Sequence, residues 1–250
     1  MAYFRNLLQL WRLARKRHRS ENDYREFQSF QAQLLVDYLE RFGVELTGRR
    51  VLDLGSGIGG YSQYLAQHGA DVISLDLMMP SQVAGLPLIG DALRLPLRDG
   101  SIDIVFCASL IEHVADPLRL LREIERVLRG GGFCYLSFPP YYSPLGGHEF
   151  SPWHYLGEKW ALRLSNGRSH VPEWVARLYK MPETPGSFSE IYYGWGLYRM
   201  TIRKARRLIE KSNLALWDQS TRYLPVSAVR WPLLGEFLTW HAQFLLRKPG

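Results

Sequence analysis

Three aspartates each close a short apolar run: Asp53, Asp76 and Asp91. The first is followed at once by Gly55, Ser56, Gly57, Gly59 and Gly60, in the segment VLDLGSGIGG at 51–60. That segment reads as a buried strand over 50–54, a glycine-rich turn, and a helix from Gly60 to His68. Glycines adopt backbone angles that side chains forbid, and they let a ligand lie against bare main chain. The helix start adds unpaired N–H groups and a positive dipole end, which suit a polar or anionic group. The chemistry expected here is the cradling of a small molecule.

Gly55, Gly57 and Gly60 also satisfy the G-x-G-x-x-G pattern of dinucleotide folds, and Asp76 stands where those folds carry an acid. Asp53 separates the two possibilities. Dinucleotide folds usually hold an apolar or small residue there, whereas a ligand with an ammonium group gains from a carboxylate. A plainer role for Asp53 is to cap the turn.

The elements that must position these groups follow from the pattern around them. A run over 71–76 is a second buried strand ending in Asp76, and 86–92 is a shorter strand ending in an acid. A fourth strand covers 102–107 and leads into Ser109, Leu110, Glu112 and His113. Leu118, Leu121, Ile124, Val127 and Leu128 give one apolar face to a helix over 117–129. Gly130, Gly131 and Gly132 are predicted to end it and to turn into a strand over 133–138. Strands alternating with amphipathic helices predict an α/β fold with a parallel sheet covered on both faces. Acids at successive strand ends point to a crevice at the carboxyl edge.

Upstream, a helix over 24–42 carries Phe27, Phe30, Leu34, Leu35, Tyr38 and Leu39 at helical spacing. An apolar-rich helix precedes it and ends in the basic cluster at 15–19. Residues 139–198 are too long for a simple connection, and they read as a lid inserted over a substrate pocket. Their aromatics, Tyr141, Tyr142, Trp153, Tyr155, Tyr192, Tyr193 and Trp195, suit a lipid-like, aromatic or sugar acceptor, or a local core. A helix over 202–212, a strand over 214–223 and a last strand over 239–246 complete the chain. The divisions are thus an N-terminal helical arm (1–45), a ligand-binding core (46–138), the lid (139–198) and the rest of the sheet (199–250).

The 250 residues are 46% hydrophobic, enough for a sizeable core. Cys107 and Cys134 sit in apolar runs and read as buried, reduced and structural. The longest apolar runs fall far short of the roughly 18 residues a membrane span needs. The first residues do not pattern as a signal peptide, so a cytoplasmic location is expected. The net charge is +7, yet residues 21–198 carry fifteen basic and twenty-one acidic side chains. An acidic centre argues against nucleic acid as a partner. Residues 1–20 hold six basic and no acidic residues, which suits either peripheral contact with an anionic inner membrane face or a solvated arm packed on the domain.

The segments VLDLGSGIGG, SLDL, GDALRLPLRDGSIDIV, SLIEHVADP and RVLRGGGFCYLSFP occur in register over 49–138. In this the chain resembles class I S-adenosylmethionine-dependent methyltransferases of the small-molecule type that serves ubiquinone and menaquinone pathways. The resemblance implies a doubly wound, Rossmann-like, mainly parallel seven-stranded sheet with S-adenosylmethionine as cofactor and S-adenosylhomocysteine as product. It assigns Asp53, Gly55, Ser56, Gly57 and Gly59 to the methionine portion, with the Asp53 carboxylate close to its amino group. Asp76, with Leu77 beside it, matches the acid that accepts from both ribose hydroxyls. Asp91 and Ala92 match the adenine edge, and Ser109 and Leu110 line the methyl-donor face. Some relatives hold a metal with further carboxylates after strand four. Ser109 stands where one of those would be, so no metal is expected, and Glu112 and His113 are expected to wall the pocket.

The activity implied is methyl transfer to a small-molecule or lipid- or sugar-linked acceptor, with oxygen as the methylated atom. A hydroxyl nucleophile needs a proton acceptor, and histidine suits that task at neutral pH. Of seven histidines, His113, His148 and His154 fall near the expected pocket mouth. His148 is the first choice, because Gly146 and Gly147 could let a lid fold down and Glu149 could orient the ring. His18, His68, His170 and His241 are placed elsewhere. A nicotinamide-dependent oxidoreductase and a silent cofactor-binding subunit are the competing readings.

Overall fold

A computed structural model describes residues 2–78, 83–165, 173–178, 180–182, 186–191 and 195–250. Seven strands form one sheet: β1 (Arg50–Leu54), β2 (Asp71–Asp76), β3 (Leu86–Ile89), β4 (Ile102–Ala108), β5 (Leu128–Phe138), β6 (Ala215–Thr221) and β7 (Ala242–Arg247). Their order is β3-β2-β1-β4-β5-β7-β6. Neighbours from β3 to β5 pair in parallel, and β7 runs antiparallel to both β5 and β6.

The inner strands are nearly continuous apolar runs because both faces are covered. Alternation along them splits the core in two. Val51, Val72, Ile104, Phe106, Tyr135 and Leu245 pack with helices α2 (Glu21–Glu40) and α3 (Gly60–Gln67). On the other face, Leu52, Leu54, Val105, Cys107, Leu136 and Phe244 pack with α4 (Pro117–Val127) and α7 (Ile202–Glu210). Cys107 and Cys134 are buried free thiols, as expected. Helix α1 (Ala2–Lys16) lies outside, with Leu13 against Phe27 and Phe30 of α2.

The helix starts are set by side chains. Ser20 accepts from Asp23 N at α2, Asp116 accepts from Arg119 N at α4, and Thr201 accepts from Lys204 N at α7. Each satisfies an amide that the first helical turn leaves unpaired.

Several boundaries differ from expectation. Helix α4 ends at Val127, and β5 begins at Leu128, so Gly130–132 lie within the strand. Ile102 pairs with Leu128 and Ile104 with Phe133, so the glycines bulge out of the ladder between those pairs. A Cβ on Gly132 would sit 2.9 Å from the Asp103 carbonyl oxygen, so packing rather than helix termination selects glycine there. Strand β3 stops at Ile89, which places Asp91 in the following turn. The last strand starts at Ala242, leaving Thr239 and His241 just ahead of it.

The insertion after β5 contains short 3-10 turns at His148–Phe150, Trp153–Leu156 and Phe188–Glu190, with helices α5 (Glu158–Leu164) and α6 (Glu173–Leu178). Tyr141, Phe150, Ala161, Phe188, Ile191 and Leu197 form its own small core. Tyr192, Tyr193 and His170 lie outside the described residues. Helix α8 (Leu234–Leu238) joins it through the Tyr142–Phe237 ring contact at 5.6 Å.

Candidate active site

The turn after β1 has the conformation its glycines predict. Gly55, Gly57 and Gly59 have φ of 77°, 53° and 82°, a region costly for side chains. A Cβ on Gly55 would also lie 3.1 Å from Leu110 Cδ1, so the turn and the segment after β4 are in contact. Ser56 is buried, and its hydroxyl has no partner among the described residues.

Helix α2 clamps this turn from behind, which sequence reasoning did not find. Arg25 Nε donates to the Ile58 carbonyl at 3.2 Å, and Ser29 Oγ donates to the Gly60 carbonyl at 3.1 Å. Gln28 Oε1 accepts from Gly60 N at 3.1 Å. Gly60 is a glycine because a Cβ would overlap Gln28 Cβ.

The acids divide by depth. Asp53 is 2% exposed and lies beneath the turn, with Oδ2 accepting from Ser62 Oγ at 2.5 Å. Ser74 Oγ lies 2.7 Å from Ser62 Oγ and extends that chain. Burial pushes the Asp53 carboxyl up to about 7, with the Ser62 hydrogen bond opposing the shift. Asp76 lies at the turn's rim, where Oδ2 accepts from Gly57 N at 2.9 Å and Oδ1 from Met78 N at 3.3 Å. Burial raises its carboxyl as well. Leu77 beside it is largely open, Ala92 is buried, and Asp91 is exposed with Oδ1 accepting from Leu93 N at 2.8 Å.

Beyond β4, Ser109 takes φ 56°, held by its amide donating to the Ser137 carbonyl at 2.8 Å. Its hydroxyl lies 3.1 Å from His241 Nε2. The sequence placed His241 on the last strand, away from the site. It sits instead just before β7, at the same carboxyl edge as Ser109.

Glu112, His113 and His148 come together, and their ligand-type atoms all lie within 4.8 Å of one another. His148 Nε2 is 3.8 Å and His113 Nε2 3.9 Å from Glu112 Oε1. Burial pushes the Glu112 carboxyl up to about 8 and both imidazoles down. Neither Glu112 oxygen nor His148 Nε2 has a hydrogen-bond partner among the described residues. Glu112 thus lies beside His148, and the Glu149 carboxylate also acts on the ring, favouring its charged form. His113 Nδ1 contacts the Gly196 carbonyl at 2.7 Å, which pins the segment to the insertion. One carboxylate and two imidazoles also form a donor set suited to a divalent cation, whereas no metal was expected here.

His154 is separate from that trio. It is 1% exposed, and its ring stands against Tyr141 at 5.4 Å and Tyr155 at 4.1 Å. Gly147 is glycine because a Cβ would overlap the His154 ring, and Gly146 because one would overlap the Pro140 and Tyr141 carbonyls. The paired glycines serve close packing.

Known proteins agree with this geometry. Residues 52–136 match the methyltransferase domain family. An uncharacterized methyltransferase of Mycobacteroides abscessus is 31% identical over 221 residues, covering 82% of this chain and 78% of its own. Another, from Mycobacterium ulcerans, is 35% identical over 224 residues, covering 83% and 80%. Among solved structures, an S-adenosylmethionine dependent methyltransferase from Mesorhizobium loti aligns with a TM-score of 0.55 at 20% identity, over 85% of this chain and 96% of that one. The [4+2]-cyclase SpnF aligns with a TM-score of 0.52 at 18% identity, over 86% and 80%. At such identities the two structures show a shared fold alone. The relatives in sequence set aside the nicotinamide alternative, and the chain belongs to the class I S-adenosylmethionine-dependent methyltransferases.

Proposed function

We propose that the protein binds S-adenosylmethionine at the 51–60 turn and methylates a hydroxyl of a small or lipid-linked acceptor, with His148 as the proton acceptor. The observation that carries this is the Glu112–His113–His148 cluster at the carboxyl edge, two of its residues buried and His148 partly so, with His148 Nε2 left without a hydrogen-bond partner among the described residues.

The donor supplies an activated methyl carbon on a sulfonium. The chain's residues fit that group: three glycines with positive φ bare the main chain, and Asp76 stands at the rim with acceptor capacity for ribose hydroxyls. The acceptor oxygen displaces the sulfonium in line, so one C–O bond forms as the C–S bond breaks, with its electron pair leaving on sulfur. The hydroxyl proton passes to His148 Nε2. Burial lowers the His148 basicity and keeps the ring neutral, the form that can take a proton. Alignment and exclusion of water, supplied by the insertion, carry the rest of the rate. Should a divalent cation occupy the Glu112–His113–His148 set, it would polarise the acceptor oxygen instead.

A lipid-linked acceptor is supported by the surface beside the site. Trp231, Leu233, Leu234, Phe237 and Trp240 are exposed around α8, and the insertion, which meets α8 at Tyr142 and Phe237, exposes Trp153, Leu156 and Trp160. Leu233 is the most exposed of these and has φ 59°, a strained angle for a leucine. The basic end of α1, with Arg15 and Lys16, supplies positive charge suited to anionic headgroups. Among the described residues no helix is long and apolar enough to cross a membrane, so the contact proposed is peripheral.

The test is calorimetry with S-adenosylhomocysteine, followed by labelled methyl transfer from S-adenosylmethionine into a lipid extract and an aqueous extract. Label in an ether or ester product supports the reading. Label appearing only on nitrogen or carbon rejects the oxygen acceptor.

A further inference from the structure

Arg222 follows the end of β6 and is 8% exposed, yet no carboxylate among the described residues pairs with it. Its Nη2 donates to Tyr61 Oη at 2.9 Å, and its Nε is buried with no partner among the described residues. The faces of Tyr61 and Tyr223 lie 5.7 and 5.2 Å from the guanidinium carbon. Tyrosine rings offset part of the cost of burying a cation, but a counter-ion is the usual solution.

The tyrosines are themselves fixed. Tyr61 Oη donates to Gln31 Oε1 at 2.7 Å, and Gln31 Nε2 donates to Tyr223 Oη at 2.5 Å. Both Gln31 amide ends are therefore engaged, and the network presents no spare negative charge to Arg222. Next to it, the Arg222 amide donates to the His241 carbonyl at 3.0 Å, and His241 Nδ1 is a second buried nitrogen without a partner among the described residues. In the tautomer where the Ser109 hydroxyl donates to His241 Nε2, the neutral ring carries its proton on Nδ1, a donor without a hydrogen-bond partner among the described residues. Burial and the Arg222 charge hold that ring neutral.

The position matters as much as the charge. Arg222, His241 and Ser109 follow or precede β6, β7 and β4 at the carboxyl edge, and Tyr61 directly follows the last glycine of the cofactor turn. We propose that Arg222, with His241 as a second donor, is the centre of an oxyanion-binding subsite that takes a carboxylate or phosphate beside the methyl-transfer centre. This rests on the methyl-transfer reading and adds the chemistry of a ligand group. Two sources offer such a group: the carboxylate of the cofactor's own methionine portion, and an anionic acceptor.

The experiment compares the full-length protein with Arg222→Met and Arg222→Lys. Binding of S-adenosylhomocysteine to the unaltered protein is measured first, and its failure rejects the methyl-transfer reading without touching the next step. Inorganic phosphate and benzoate are then titrated at fixed ionic strength, with and without S-adenosylhomocysteine, and decarboxylated S-adenosylmethionine is titrated separately. A loss of about tenfold or more in phosphate or benzoate affinity in Arg222→Met, partly restored in Arg222→Lys, places the subsite on the acceptor side. A similar loss for S-adenosylhomocysteine, with none for the decarboxylated donor, makes the oxyanion the cofactor's carboxylate. Ligand-free Arg222→Met should melt above the unaltered protein, because an unpaired buried charge has been removed. Unchanged affinity for every probe together with a lower melting temperature overturns the proposal and leaves Arg222 as a structural strut for the tyrosines.

Discussion

Asp53, two residues before Gly55, accepts from Ser62 beneath the turn, whereas Asp76, nineteen residues after Gly57, accepts from the Gly57 amide, and their exposures assign them different work. Asp76 reaches the rim, so Asp76→Ala removes both a ligand acceptor and the brace on Gly57 N. Cofactor affinity should fall by about 1.5–3 kcal/mol, roughly ten- to a hundredfold. Asp99→Ala is the control: its carboxylate is largely exposed and pairs with Arg126 at 2.6 Å, a surface pair of little worth. Calorimetry with S-adenosylhomocysteine separates them, and equal losses would move the ribose site elsewhere. Asp53 makes a pH prediction instead. Its folded pKa, about 7, lies above the ordinary carboxyl value, so the unfolded chain releases that proton first as pH rises. Stability should therefore fall from about pH 4 to pH 7, by up to about 1.4 kcal/mol per unit from this group, and level off above. Asp53→Asn should flatten that part of the melting profile; an unchanged slope would mean the carboxyl is ionised in the fold. His148→Ala should leave cofactor affinity intact and lower turnover about a hundredfold or more, as removal of a general base does. Survival of turnover would leave alignment as the whole of catalysis.

At the level of elements, what could be read from the sequence was whatever is local. Strands β1 and β2 fall where their apolar runs and closing acids put them, because a buried strand and its turn are encoded within about ten residues. The glycine turn was equally plain. By contrast, Ser109 meets His241 across 132 residues and Arg222 meets Tyr61 across 161, and no period or motif marks such a meeting. A weaker signal was there: both Arg222 and His241 adjoin strand ends on the ligand-binding edge. Gly146 and Gly147 carry a second requirement that was not legible: besides the flexibility that suggested a hinge, their neighbours demand the absence of a side chain. Gly146→Ala must push on backbone carbonyls and should cost about 1–3 kcal/mol in stability, lowering turnover while sparing cofactor affinity. Gly186→Ala, whose new methyl would meet, among the described residues, only the flexible end of Glu190 at 3.2 Å, should be nearly neutral. Equal melting temperatures for the two variants would show that the insertion does not depend on the 146–147 seat.

Taken whole, the molecule has an asymmetric surface. The cofactor turn lies over β1 and β2, while one group of exposed aromatics, Trp231, Phe237 and Trp240, lies around α8 beyond β5. An acceptor held in a bilayer would meet the protein on that second side, and the positive charge of α1 would strengthen the encounter where headgroups are anionic. Area and charge make separable contributions. Trp231→Ser with Leu233→Ser removes apolar contact without altering charge, so it should weaken binding to neutral and anionic vesicles alike. Replacing Arg15, Lys16 and Arg17 with glutamine should weaken binding only to anionic vesicles and only at low salt. Co-sedimentation with phosphatidylcholine vesicles, with and without phosphatidylglycerol, distinguishes the two. Neither serine substitution lies in the Glu112–His113–His148 cluster, so turnover of a water-soluble acceptor should persist in that variant while turnover of a vesicle-borne one falls. Binding indifferent to lipid charge, to salt and to both sets of substitutions would remove the membrane from the account and return the acceptor to the aqueous phase.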